Sequence, residues 1–416
     1  MTNSVIRRKG ALVILVAVLL RLAVVAAVEK GIVQLEGNPD TSDLMSFGYN
    51  LATGVGYAHA VHEYLPFSQP VEFSSWRPPL FPAVLAALFQ FTHSTLWVRL
   101  VQVVFSAAAL YLLLRIGFLL FGELPALIAG LIFALYPPLV LYGIEITTEN
   151  LFLFLMMAMI FVFYQGERPH TIRRVFGLGV LLGLAALCRP AGLMLAPAMA
   201  LAIWLTATIR RAALRVVVVA IAMSLTILPW TYRNYRLFHR LVLITTQGGA
   251  TFWAGAHLRL DPGASMDEVG YSQHLAFRDV PEPERERYYY RQGFAILDHS
   301  PRRVAKMMWG NFKAMYTLVP SALYHSFRTR IVYSLCYIPL LITGVAGWIL
   351  LRQRWRELTL LWAVVLTNTV LYCIYLGSIR YRVATVDPIL ALGSGVCLAA
   401  LVRRIGRGSP ALESTP

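Results

Sequence analysis

Charge is scarce in this chain, and acidic charge most of all. Of 416 residues only 14% are charged, with 21 Asp and Glu against 37 Lys and Arg. So little charge excludes an ordinary soluble surface. Cysteine is equally sparse. Cys188, Cys336, Cys373 and Cys397 fall in or beside apolar runs without metal-type spacing, which excludes a disulfide framework or zinc site and makes them small buried hydrophobes. There is no Walker-type Gly-rich Lys motif, which argues against a soluble nucleotide donor, and no Ser-centred elbow. The run His59-Ala-Val-His62-Glu63 lacks the His-Glu-X-X-His order and reads as a polar loop. No internal repeat supports a transporter built from duplicated halves.

What the chain has in abundance is apolar sequence, at 58% of residues and a mean hydropathy of +0.62. This predicts an all-α polytopic membrane protein. The net charge of +16 does not point to nucleic acid, because most Arg sit in short clusters between apolar runs. Ala11 to Val28 follows Arg7, Arg8 and Lys9 but is long for a signal-peptide core and lacks a small-residue cleavage site, so it is expected to be an uncleaved first span.

Nine further runs follow, at Leu96–Phe121, Leu124–Tyr142, Leu151–Tyr164, Val175–Cys188, Gly192–Thr208, Ala212–Trp230, Ile331–Leu351, Leu358–Leu376 and Val383–Val402, giving about ten transmembrane helices. Leu80–Phe91 is too short to cross, and Arg302–Leu323 mixes Arg and Lys with Met and aromatics. Both are expected to lie at the interface. With neither crossing, the Arg clusters at 168–174, 210–215, 352–356 and 403–407 share one side with both termini, the cytoplasmic side.

Four parts are expected. Residues 1–230 form an N-terminal membrane module whose first outer loop is 29–95, and residues 231–330 form a small outer-face α/β segment with an interfacial helix. Residues 331–402 supply the last spans and 403–416 a disordered tail. Within the second part, Leu241–Gly255 is β-rich up to the Gly248-Gly249 pair, and 267–301 reads as helix, Pro break, helix.

Chemistry in such a protein must come from polar residues at the ends of spans. Asp40 and Asp43 are three apart and share the first turn of a helix running to about Ala52. They can serve the helix dipole, with Asp40 as N-cap, or one can take a proton from an acceptor hydroxyl. Arg77, before Pro78-Pro79, can snorkel at the interface or fork onto a phosphate. Glu149 follows Glu145 at the start of an apolar run, which is costly unless it faces a wet cavity. Arg189-Pro190 can anchor the interface. Arg233 follows Pro229-Trp230 at a span end, and Arg380 and Arg382 lie on the outer side against the positive-inside bias, which suggests an anionic partner. Arg77, Arg233, Arg380 and Arg382 would then form a basic rim around Asp40, Asp43 and Glu149, suited to expelling a phosphate leaving group.

Several stretches occur in a familiar order: "DTSDL…NLATGVGY", "RPPLFPAVLAAL", "LYGIEITTENLFLFL", "LCRPAGLMLAP", "LPWTYRNYRLF", "LITTQGGATFWAG" and "RYRVATVDPIL". Together they resemble the C-type membrane glycosyltransferases of the dolichyl-phosphate-mannose protein mannosyltransferase and aminoarabinose transferase kind, in their bacterial branch, over roughly Arg21 to Ala391. The resemblance implies an inverting transfer of a sugar from a polyprenyl-phosphate carrier to a glycan, lipid or protein acceptor at the outer face of the bacterial inner membrane. By position it puts the catalytic Asp at Asp40, with Asp43 as the alternative, and Arg77 near the donor phosphate. It matches Glu149 to an acid at the next outer turn and Arg380 with Arg382 to a late basic motif. Leu44 departs from the family's aromatic, and no large C-terminal periplasmic domain is present, which leaves the acceptor open. The superfamily admits a divalent metal, and nothing in the sequence fixes one. The competing reading is a lipid-linked saccharide transporter or a non-catalytic carrier-binding protein, neither of which requires Asp40.

Overall fold

The computed structural model describes residues 2–33, 39–60, 71–166, 171–261, 264, 280–320 and 326–408. The described chain is a helical membrane fold. Helix α1 (Thr2–Glu29) is followed by the short α2 (Pro39–Ala52), a two-stranded antiparallel hairpin of β1 (Ala58–Ala60) and β2 (Val71–Phe73), and α3 (Leu80–Phe89). Next come α4 (Thr95–Phe121), α5 (Glu123–Leu135), α6 (Pro137–Tyr142), α7 (Glu149–Tyr164) and α8 (Ile172–Cys188). A 3₁₀ turn at Pro190–Met194 leads into α9 (Leu195–Thr206), then α10 (Ile209–Phe238) and α11 (Gly248–Leu260). The last elements are α12 (Glu282–Leu297), α13 (Pro301–Met315), α14 (Phe327–Leu350), α15 (Thr359–Ile374), α16 (Ile379–Val383) and α17 (Asp387–Gly408).

All ten expected runs are helical, but not all are full-length spans. Among the described residues, five helices are long and apolar enough to cross a membrane, in Arg8–Glu29, Thr95–Phe121, Ile209–Phe238, Phe327–Leu350 and Asp387–Ile405. The rest are shorter, and the expected Leu124–Tyr142 span is broken at Tyr136, before Pro137-Pro138. Proline has no N–H to continue the α5 ladder, so the last carbonyls of α5 need another donor. Arg21, buried in α1, supplies it. Its guanidinium donates to the carbonyls of Ala134 at 3.3 Å and Leu139 at 3.1 Å, and its Nε to Ser106 Oγ at 2.9 Å.

The core runs along α4, α7 and α8, with Leu110, Phe152, Met156, Phe163, Leu178 and Leu182 buried. Helix α8 packs on α10, and a Cβ at Gly183 would sit 2.5 Å from Thr226, so glycine sets this close approach. Arg173 and Arg174 open α8, and Arg210 and Arg211 open α10. These clusters therefore lie at the ends of their helices opposite Arg189 and Arg233.

Three expectations change. The β-rich run before Gly248 is irregular, because its carbonyls are taken by side chains of α10 rather than by a strand. Trp230 Nε1 donates to Ile244 O at 2.7 Å, Thr231 Oγ1 to Leu243 O at 2.9 Å and Asn234 Nδ2 to Val242 O at 3.2 Å. The described strands lie instead in the first loop. Helix α17 continues to Gly408, so the expected tail starts later than 403; residues 409–416 lie outside the described residues, as do His62, Glu63 and 267–279 of the expected helix before Pro281. Asp40 sits inside the first turn of α2, which starts at Pro39, rather than at its N-cap.

Both stretches expected at the interface contain a short helix, the second ending at Met315 rather than Leu323. Helix α3 covers most of Leu80–Phe91. Helix α13 buries Met307, Asn311 and Met315, four residues apart along one face, and exposes Arg302, Arg303, Lys306, Trp309 and Lys313.

Candidate functional site

Six charged side chains from five separate elements meet at one end of the bundle. Asp40 and Asp43, one turn apart on α2, both face Arg77. Arg77 Nη2 lies 2.6 Å from Asp40 Oδ1 and 2.7 Å from Asp43 Oδ2, and its Nε donates to Asp43 Oδ2 at 3.0 Å. The other Asp40 oxygen meets Arg380 Nη1 at 2.6 Å. Arg380 then donates through Nε to Glu149, whose same oxygen lies 2.5 Å from Arg189 Nη1. Arg189 also donates to Thr148 Oγ1 at 2.9 Å and lies over the Tyr381 ring, which stacks on Tyr372 at 4.3 Å.

Three guanidiniums thus face three carboxylates. The acids differ in access, with side-chain exposures of 24% for Asp40, 15% for Asp43 and 2% for Glu149. Asp40 is the one an incoming molecule reaches most easily. Burial alone would push its carboxyl up, but Arg77 and Arg380 outweigh that and hold it well below the usual carboxylate range.

The loop carrying Arg77 is fixed from behind. Glu282 of α12, itself buried, accepts from Ser74 Oγ, from Ser75 N at 2.9 Å and from Thr246 Oγ1 at 2.8 Å. Arg233 Nη1 donates to Ser74 O at 2.8 Å and Ser75 Oγ at 3.0 Å, and its guanidinium lies over Trp230. Tyr57 Oη donates to Arg77 O at 2.9 Å.

The site residues expected from sequence therefore separate. Asp40, Asp43, Arg77, Glu149 and Arg380 come together. Arg233 does not join them, since it donates to Ser74 O, Ser75 Oγ and Tyr57 O. Arg382 does not either. Two residues apart on a helix face different ways, so Arg380 enters the cluster while Arg382 turns into the core. There it is fully buried against Asp387 at 2.8 Å, donates to Tyr333 Oη at 2.7 Å and lies 3.5 Å from the Tyr337 ring centre. Arg189 was read as an interface anchor and belongs in the cluster; its place at the end of an apolar helix was the available signal. Glu282 carried no signal in the sequence.

A cavity of about 440 Å³ opens beside the cluster. Asp40, Arg77 and Arg189 line it together with Gln247, Glu286 and Tyr290. Among the described residues no group of three or more His, Cys, Asp or Glu is placed to hold a metal ion.

Residues 76–232 match the sequence profile of the dolichyl-phosphate-mannose-protein mannosyltransferase family. The span opens at Trp76, beside Arg77, and includes Glu149 and Arg189. In fold, the chain is similar to the oligosaccharyltransferase of Archaeoglobus fulgidus in its apo form, with a TM-score of 0.59 at 13% identity over 98% of this chain and 52% of that one. It is similar to the same organism's enzyme AglB in complex with an inhibitory peptide and a dolichol-phosphate, with a TM-score of 0.58 at 14% identity over 99% of this chain and 52% of that one. The chain spans about half the length of these oligosaccharyltransferases. A looser likeness, with a TM-score of 0.44 at 14% identity over 98% of this chain and 80% of that one, is to ArnT from Cupriavidus metallidurans bound to undecaprenyl phosphate. No curated protein matches the sequence. The family profile and the shared fold bear out the resemblance to C-type membrane glycosyltransferases.

Proposed function

We propose that this protein transfers a sugar from a polyprenyl-phosphate carrier to an acceptor hydroxyl or amide at the end of the bundle that carries the cluster. The observation that carries the reading is Asp40, the most accessible acid, held between two guanidiniums from separate elements. Arg77 and Arg380 are the phosphate ligands, with Arg189 behind them. Asp43 and Glu149 hold these arginines in place.

In the resting site Asp40 is a poor base, because both arginines stabilise its charge. A phosphodiester drawn onto Arg77 and Arg380 competes for those donors and raises the basicity of Asp40 where the acceptor arrives. Asp40 then takes the acceptor proton, the acceptor attacks the anomeric carbon, and the sugar–oxygen bond to phosphate breaks. The electron pair leaves with the phosphate, where the arginines stabilise it. One displacement inverts the anomeric centre. No step needs a metal, although the Asp40 and Glu149 carboxylates are suitable oxygen donors for a divalent cation.

The clusters at Arg173–Arg174 and Arg210–Arg211 lie at the opposite helix ends, and under the positive-inside bias this supports our reading of the site as facing the outer side of a bacterial inner membrane with both termini cytoplasmic. Partners are membrane lipid, the sugar-bearing carrier, and a glycan, lipid or protein acceptor.

The test is carrier binding by the purified protein in detergent. Arg77→Gln and Arg380→Gln each remove a charged hydrogen bond of about 1.5–3 kcal/mol, so affinity for undecaprenyl phosphate should fall roughly 10- to 100-fold. Wild-type affinity in both variants would sink the assignment.

A further inference from the structure

One part of the cavity lining has no part in the displacement described above, yet this wall is polar and closely built. Glu286 and Tyr290, one turn apart on α12, project toward the N-terminus of α11. The backbone N–H groups of Gly248 and Gly249 lie beside the Glu286 carboxyl and favour its charged form. Glycine is required at 249 and keeps the contact at 248 close. A Cβ at Gly248 would lie 2.6 Å from Tyr290 Oη and 3.1 Å from Glu286 Oε1, and one at Gly249 would strike the Glu286 carbonyl. Tyr290 Oη in turn lies 3.3 Å from Tyr375 Oη.

This wall is joined to the phosphate pole through one residue. Gln247 Oε1 accepts from Arg77 Nη1 at 3.4 Å, and the next residue in the chain is Gly248, against which Glu286 sits. The distance from the Arg77 guanidinium to Glu286 is thus one side chain and one peptide unit. In a carrier-linked sugar the ring is bonded directly to the phosphate, so a group one side chain from the phosphate pole lies against the ring.

We infer that Gln247, Glu286 and Tyr290 form the subsite that recognises the sugar of the donor, with Glu286 as the residue that selects it by bonding a ring hydroxyl or amino group. The inference rests on the reading of Arg77 and Arg380 as phosphate ligands. The chemistry fits a polyhydroxylated ring. Each sugar hydroxyl donates and accepts, the Gln amide and Tyr hydroxyls do both, and the Tyr rings offer faces to ring C–H groups. A partly buried carboxyl left without its hydroxyl is penalised, which makes it a strong discriminator.

The experiment compares binding of undecaprenyl phosphate with binding of undecaprenyl phosphate bearing mannose, glucose, galactose or aminoarabinose, using the full chain in nanodiscs. In the wild type at least one sugar-bearing carrier should bind more tightly than the bare carrier. Glu286→Ala should erase that advantage by tenfold or more while leaving bare-carrier affinity within twofold, and Glu286→Gln should retain part of it. The inference is overturned if no sugar improves wild-type binding, if Glu286→Ala keeps the advantage, or if it loses the bare carrier equally. Failure of the wild type to bind bare carrier at all would instead overturn the phosphate assignment beneath it.

Discussion

Replacing Asp40 by asparagine separates two effects that usually move together. The side chain keeps its shape, and both guanidiniums keep another acid, Arg77 holding Asp43 and Arg380 holding Glu149. Asp40 is about a quarter exposed, so its ion pairs contribute on the order of 1 kcal/mol to stability and the variant should fold. Its charge matters more to a bound anion. A carboxylate about 6 Å from a phosphodiester repels it by roughly 3 kcal/mol at an effective dielectric constant near 20. Partial exposure and salt reduce that by about half, to ~1.5 kcal/mol. Asp40→Asn should therefore bind undecaprenyl phosphate roughly tenfold more tightly than wild type. Sugar transfer should meanwhile fall by about 10² to 10⁴, the usual contribution of a general base. The assay pairs equilibrium binding of the carrier with transfer from a polyprenyl-phosphate sugar in the same preparation. Weaker carrier binding, or undiminished transfer, would refute the reasoning.

Two further outcomes follow from buried charge. Arg382→Gln strands Asp387 in a site where both partners are fully buried, and should lower unfolding stability in detergent by about 3–5 kcal/mol, with Arg382→Leu/Asp387→Leu recovering most of it; a loss under ~1 kcal/mol would show the pair to be dispensable. Burial, with Glu282 nearby and the Gly248 and Gly249 N–H groups only partly offsetting it, pushes the Glu286 carboxyl up to about 7. The folded state then keeps a proton that the unfolded chain releases near its ordinary value, so stability should fall as pH rises through the window up to about 7 and level off above it. Glu286→Gln should lack that slope, and an unchanged slope would mean another group is responsible.

The parts legible in the sequence are those governed by local spacing. Apolar run length located the long helical segments, though not α11, and the three-residue step from Asp40 to Asp43 placed both acids on one face. The Pro pair after Arg77 marked the start of α3. Less legible was anything that depends on which distant groups compete for the same partner. Arg233 and Arg380 read alike in the sequence, each an Arg at a span end, yet one donates to Ser74, Ser75 and Tyr57 and the other bridges Asp40 to Glu149. The stretch before Gly248 has strand-forming residues, but Trp230, Thr231 and Asn234 took its carbonyls.

By itself the sequence determined the membrane-embedded helical character, the order of segments and the acids of the first loop, because burial in lipid and helical periodicity are set by composition and spacing along the chain. The tertiary structure decided which arginine meets which acid. It brought Arg189 into the cluster, turned Arg382 into the core, and placed Glu282 behind the Arg77 loop and Glu286 in the cavity lining. An ion pair depends on distances of a few ångströms between residues far apart in sequence, and those distances are fixed only when the helices pack.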